Sequence, residues 1–435
     1  MQFDAKQAVA GALTVGMFVM LVNMIGNGPL KFSSPEETAL MAAGDPEVMS
    51  ESMGTVVKSS RRDDTPKELW GKQRPFLQPC WNKYITGRQG RTWGYVMVKL
   101  SNGPQYHALQ VADAVIVARN LGATLLLPMI KEAPKEPNSE FDKIYDVNNF
   151  ISSLKDVVRV VGRLPEDVRG IEPTIVKVPY KVTSEYIEEN VQPVFKQNVI
   201  IQLITVFSAA SLRAKDTSDE EVQAIRCLVT YGALRFHSQV QKLGERVISR
   251  VREGGEASGG RFIAVDLRVD VLKQKGCVQS GNGKSKKCFN GQEVASFLKR
   301  LGFSSETAIY LTQSRWDPSL DALKEVFPNV YTKEYSMPFN EEKQILYSGT
   351  TQFEKAIDFY VCTHSDVFVP AISGLSYVSI AGGRIALGKT QMFVPTLSED
   401  ASKIKVSAAL SKFVTKKDHP AYSCFCKSSS AANKE

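Results

Sequence analysis

Residues 261–268 read RFIAVDLR, and the fold turns on how that stretch is read. Its apolar centre has the length of a buried strand, and the run ends with Arg268 emerging between Asp266 and Asp270. Downstream the pattern alternates: a helix over 291–301, a strand over 308–313 (AIYLTQ), a helix over 317–326 with Pro318 at its start, and a strand over 329–332. A helix around 353–362, the run 366–370 (DVFVP) and a Gly-flanked helix near 375–381 complete this half. Strands separated by helices imply a parallel sheet, whose ligands collect at the carboxyl ends of its strands.

Upstream, residues 95–100 (YVMVKL) read as a strand, 106–121 as an amphipathic helix and 123–129 (ATLLLPM) as a second buried strand, a βαβ unit. Apolar runs at 157–161 and 199–207 extend it. Ser218 with Glu221 predicts a capping box opening a helix, and 237–251 reads as helical again. The expected fold is α/β, with two Rossmann-like lobes at 69–215 and 216–400 and a basic C-terminal tail at 401–435.

The first 68 residues differ in kind. No charge falls between Gln7 and Leu30, and residues 8–25 (AVAGALTVGMFVMLVNMI) are apolar apart from Thr14 and Asn23. Eighteen helical residues rise about 27 Å, near the thickness of a secretory-pathway bilayer. A cleaved signal peptide is the rival, but the run is longer than an ordinary h-region and no clean small-x-small site follows. We expect a cytosolic tail at 1–7, a signal anchor at 8–25 and a Ser/Pro/acidic stem at 26–68, with the large domain lumenal.

Composition narrows the function. With 43% hydrophobic and 23% charged residues the chain is core-forming, and its net charge of +8 is dispersed, without the aromatic-basic pattern of a nucleic-acid binder. Seven cysteines are too few for a disulfide scaffold and lack paired CxxC spacing; Cys277 and Cys288 either bridge locally in an oxidising lumen or remain thiols. The odd count leaves at least one unpaired. Four histidines show no metal-ligand spacing and no convincing DxD motif is present, so no metal is expected.

Four strand ends carry candidate chemistry. Arg268 could grip a diphosphate bidentately and stabilise a departing nucleotide, or be held by Asp266 and Asp270 for structure. The segment Gln313, Ser314, Arg315, Trp316, Asp317 offers polar groups and a plane for a base or ribose, while Asp317 before Pro318 is also an ordinary N-cap. Lys333 with Glu334 follows a third strand and reads as solvated. In the fourth, Asp366 precedes Ser373 and Gly374, a bend that either cradles a phosphate or is a plain turn.

These segments together resemble the plant O-fucosyltransferase family, most closely its mannan synthesis-related subgroup. The blocks are GYVMVKLSNGPQYHALQVADAVIVARNLGATLLLP, LRFHSQVQKLG, RFIAVDLRVDVLKQKGC, AIYLTQSRWDPSLDALKEVFPNVYTKE and AIDFYVCTHSDVFVPAISG, within residues 93–394. The resemblance implies a two-lobed GT-B-like fold, a GDP-sugar donor, inverting metal-independent transfer and a Golgi location. It matches Arg268 to the arginine of a His-x-Arg element that binds the donor diphosphate. It also places Ser314 where the nucleotide is read, and Asp366, Ser373 and Gly374 in the phosphate turn. Three departures stand out: Asp266 where many members have histidine, Asp270 in place of glutamate, and 101–107 (SNGPQYH) in place of a Gly-Gly-Leu-Asn type loop ending in arginine.

The expectation is a type II Golgi membrane glycosyltransferase. It would pass fucose or mannose from GDP-fucose or GDP-mannose to a cell-wall polysaccharide or other glycan, with no separate cofactor and no nucleic acid. Arg268, Asp266 and Asp270 are its candidate catalytic residues. The competing expectation is a non-catalytic relative that supports a polysaccharide synthase, favoured by the missing histidine.

Overall fold

Tyr95–Leu100 (β1) alternates half-buried and buried positions, so Val96, Val98 and Leu100 face the core as period-two side chains must. Gly103, at φ +100°, turns the chain, and Pro104 opens Pro104–Asn120 (α1), where its missing N–H costs nothing. The single strand expected over 123–129 is two, Thr124–Leu126 (β2) and Met129–Ile130 (β3). Pro128 between them cannot donate to a ladder. Val160–Val161 (β4), Thr174–Pro179 (β5) and Ile200–Val206 (β6) complete a parallel sheet in the order β4-β2-β1-β6-β5, with β3 also on β1. The structure is a computed structural model that describes residues 64–71, 77–87, 92–131, 141–208, 219–275, 277, 288–337, 351–396 and 404–426.

Glu220–Leu228 (α2) follows. Its cap is Asp219, which accepts from the backbone N–H groups of Glu221 and Val222. The expected partner Ser218 lies outside the described residues, and Glu221 instead receives Thr86 and Arg119. Ser238–Glu253 (α3), capped by His237, leads into the second sheet.

That sheet consists of Phe262–Asp266 (β7), Ala308–Leu311 (β8), Val330–Tyr331 (β9) and Val367–Pro370 (β10), parallel in the order β9-β8-β7-β10. Every residue of β7 is buried, as a central strand covered on both faces requires. Its side chains divide by parity: Phe262 and Ala264 join the core shared with the first sheet, whereas Ile263 and Val265 pack in a second core with Leu298 and Val369. Helices Val269–Gln274 (α4) and Gly291–Leu301 (α5) follow β7, and Lys333–Ser336 (α6) follows β9. Gln352–His364 (α7) precedes β10, and Leu375–Ala386 (α8) succeeds it. Reciprocal capping boxes, Asn290 with Glu293 and Thr351 with Glu354, fix where α5 and α7 begin.

Six of the seven cysteines are bridged, as Cys80–Cys426, Cys227–Cys424 and Cys277–Cys288, with Cys362 free and buried. Cys277–Cys288 is the local bridge the sequence left open and Cys362 the thiol its odd count leaves over, while the other two bridges correct the expectation that seven cysteines are too few for a disulfide framework. The first two span 346 and 197 residues of sequence, so local spacing does not reveal them. They pin the C-terminal segment to Cys80 ahead of β1 and to Cys227 in α2, and Phe425–Cys426 also pairs with Gln78–Pro79. Residues 1–63, including the predicted tail and membrane span and most of the stem, lie outside the described residues. Among the described residues no helix is long and apolar enough to cross a membrane.

Candidate functional site

A crevice opens where the carboxyl ends of β7 and β8 meet α7, α8 and the first turn of α1. Asp266, Arg268, Thr312, Asp358 and Ser376 line it, with Gln105 from the first lobe. The fold puts them there because parallel strands all deliver their carboxyl ends to one edge of the sheet.

Arg268 is half-buried at the residue that caps α4. Among the described residues its guanidinium makes no hydrogen bond or ion pair, and its Nε is buried without a partner. A guanidinium with unused donors in a crevice is arranged for an anion that is not part of the chain. The alternative of an arginine clamped by its two neighbouring carboxylates is not what the structure shows. Asp270 is exposed, and both oxygens of buried Asp266 accept hydroxyls, Oδ1 from Thr312 at 3.0 Å and Oδ2 from Ser376 at 2.8 Å. Asp266 thereby fastens the tip of β7 to the first turn of α8.

The bend before α8 is the second element. Gly374 has φ +144°, a conformation that disfavours a side chain, and α8 has no side-chain cap on its first N–H groups. Ser373 contributes its carbonyl to Lys275 Nζ at 3.3 Å, so the helix N-terminus and an ammonium lie together, a combination suited to phosphate. The Cys277–Cys288 bridge braces this bend, since Cys288 pairs with Ile372 and Phe289 donates to the Ala371 carbonyl.

Other expected site residues lie elsewhere. Asp366 stands at the start of β10, not its end. It accepts from the Phe262 N–H at 3.1 Å and pairs with Arg252 at 3.2 Å, level with the beginning of β7. Four strand residues, about 13 Å, separate that edge from Asp266, so Asp366 is not beside the bend. Asp317 caps the short 3₁₀ turn Pro318–Leu320, accepting from the Ser319 N–H and hydroxyl, whose bonds hold its pKa below the ordinary value. Ser314 uses its carbonyl to receive the Glu334 N–H. Trp316 donates to Asp321, and Lys324 lies 5.0 Å above its ring. Neither Ser314 nor Asp317 is among the described residues lining the crevice.

Lys333 is the largest correction. Expected to be solvated, it is 1% exposed and donates from Nζ to the Thr312 carbonyl at 2.9 Å and Asp358 Oδ2 at 2.7 Å. Asp358 Oδ1 accepts from Tyr310 at 2.7 Å. Burial raises the Asp358 pKa while Lys333 opposes it, and burial lifts nearby Glu354 to about 7. No spacing rule joins residues 310, 333 and 358; the one available signal is that each lies in or beside an apolar segment. On the first-lobe side, buried His107 shares a 2.9 Å hydrogen bond with Tyr145, and its Nε2 has no partner. Burial, with Lys355 nearby, lowers its pKa to about 3 and keeps the ring neutral.

Comparison with known proteins converges on one family. Residues 95–385 match the family model for GDP-fucose protein O-fucosyltransferase. The chain is 43% identical to Protein MANNAN SYNTHESIS-RELATED 1 of Arabidopsis thaliana, over 98% of this chain and 100% of that one. It is 37% identical to Protein MANNAN SYNTHESIS-RELATED of Trigonella foenum-graecum, over 97% and 99%. A solved structure of POFUT1 in complex with GDP-fucose aligns with TM-score 0.40 and 12% identity, covering 71% of this chain and 99% of that chain. The chain therefore belongs to the GDP-fucose protein O-fucosyltransferase family of glycosyltransferases.

Proposed function

We propose that this chain is a Golgi glycosyltransferase that passes a sugar from a GDP-sugar to a cell-wall polysaccharide in mannan biosynthesis. The observation that carries the reading is Arg268, unpaired in the crevice opposite an α8 N-terminus with no side-chain cap. Sugar transfer leaves negative charge on the departing diphosphate. A guanidinium and oriented N–H groups already in place stabilise that charge without reorganisation. Ser373 and Gly374 shape the bend that lets backbone approach the phosphates, and Asp266 holds it in register with Arg268. GDP-fucose is the donor that the family name favours; the mannan reading rests on the names of the relatives. An inverting reaction in a two-lobed GT-B-like fold is consistent with this placement.

A lumenal domain is supported by the apolar run at 8–25 and by three disulfides, which persist in oxidising compartments. A second reading, a non-catalytic partner of a polysaccharide synthase, is favoured by His107. This neutral, buried ring ends the 101–107 loop where the family resemblance has a cation.

The two readings separate on turnover. The purified full-length chain is supplied with GDP-fucose or GDP-mannose and mannan oligosaccharides, and released GDP is measured. Acceptor-dependent GDP release, lost in Arg268→Ala, is the expected result. Saturable donor binding without acceptor-dependent release would favour the accessory reading, and no donor binding would refute both a donor site and the transfer it serves.

A further inference from the structure

Arg268 shares its crevice with two carboxylates, Asp266 and Asp358, yet pairs with neither. That is unexpected on electrostatic grounds. An arginine beside two buried acids would ordinarily collapse onto one of them, because a partly buried unpaired charge is costly. The reason lies in the acids' own partners. Asp266 spends both oxygens on the hydroxyls of Thr312 and Ser376. Asp358 receives the Tyr310 hydroxyl on Oδ1 and the Lys333 ammonium on Oδ2, each at 2.7 Å. Lys333 is held in turn by the Thr312 carbonyl at 2.9 Å, on the residue whose hydroxyl binds Asp266. Thr312 thus joins the two arrangements: one residue at the end of β8 engages the partner of one carboxylate and is itself the partner of the other.

We propose that Lys333 and Tyr310 are positioning residues that hold the Asp358 carboxylate away from Arg268, so that the guanidinium stays open to the diphosphate of the donor. The inference rests on the donor-binding reading of Arg268 and adds to it a mechanism for keeping that arginine unpaired. Lys333, itself not among the described residues lining the crevice, neutralises Asp358, and Tyr310 fixes the rotamer. Without Lys333, Asp358 is a buried carboxylate whose available cation is Arg268, already within its electrostatic reach. Pairing between them would place the diphosphate in competition with a carboxylate of the protein.

Competition predicts a pattern that a merely structural lysine would not produce. GDP is titrated into the full-length chain by calorimetry. Lys333→Met should weaken GDP binding by roughly tenfold, the scale of one competing charge pair in a partly buried site. Adding Asp358→Asn to Lys333→Met removes the competitor and should return the affinity to within about threefold of the parent. Because Lys333→Met removes a buried charge and could impair folding, an isosteric pair gives an independent answer. Tyr310→Phe should weaken GDP binding by about threefold through a looser carboxylate, and Tyr310→Phe with Asp358→Asn should not. Unchanged GDP affinity in Tyr310→Phe and Lys333→Met would overturn the inference, and so would double variants that bind no better than the single ones. A parent chain that binds no GDP would instead refute the donor-site reading beneath it.

Discussion

Two arginines mark opposite ends of the second sheet and have opposite surroundings. Arg384, fully buried near the start of β10, donates to the carbonyls of Cys362, Ser365, Asp366 and Gln391 and to the Ser365 hydroxyl. Its terminal nitrogens gather the loose carbonyls at the end of α7, the groups that a helix leaves unpaired. Arg268, past the end of β7, has no such partner among the described residues. Both have a buried Nε without a hydrogen bond, so the distinction lies in the terminal nitrogens. Where they are satisfied by backbone the arginine holds the fold; where they are idle in a crevice it is kept for a ligand. The acids follow the same division, Asp366 paired with Arg252 at one end and Asp266 engaged only by hydroxyls at the other.

The largest effect should come from the structural end. Arg384→Met strips charged donors from several buried carbonyls and should cost about 3–5 kcal/mol of stability in denaturant unfolding, with GDP affinity of the folded fraction unchanged. A small loss of stability would break the contrast between the two arginines. Next come the disulfides, each worth about 2–4 kcal/mol on the chain-entropy model. Replacing Cys227 and Cys424 by serine should lower stability alone. Replacing Cys277 and Cys288 should also weaken GDP binding, because that bridge braces the bend before α8.

Glu354 sharpens the comparison through pH. Burial raises its carboxyl from 4.5 to about 7, so the folded state favours the protonated form. Its contribution is fully present below pH 4.5 and fades as pH rises through about 7. Melting temperatures followed across that window should fall with a slope that Glu354→Gln flattens. The smallest expected effect is that of Asp317→Ala, which should cost about 1 kcal/mol as a lost cap and leave GDP affinity intact. A clear fall in affinity would return Asp317 to the nucleotide site.

Much of the second lobe is legible because its strands are unbroken apolar runs and its helices begin at recognisable caps. The helix expected over 291–301 is Gly291–Leu301, and the strand over 308–313 contains Ala308–Leu311. The first lobe is less so: Pro128 splits one expected strand, and the edge strand Thr174–Pro179, with Ile175 exposed, lacks a clear apolar run. At the site, Arg268, Asp266 and the Ser373–Gly374 bend were readable as residues following strands. Asp366 misleads because it adjoins a strand at the wrong end, a polarity that a list of neighbouring residues does not convey. Lys333, Tyr310 and Asp358 could not be joined from sequence, since tertiary folding alone brings an ammonium at 333 against a carboxylate on another helix. The long disulfides escape notice for the same reason.

The most direct test of the central claim compares GDP with guanosine as ligands of the full-length chain and of Arg268→Ala. If Arg268 holds the diphosphate, the parent prefers GDP strongly and the variant loses about 100-fold of that preference while guanosine binding barely moves. Equal preference for GDP in the two proteins would contradict the account.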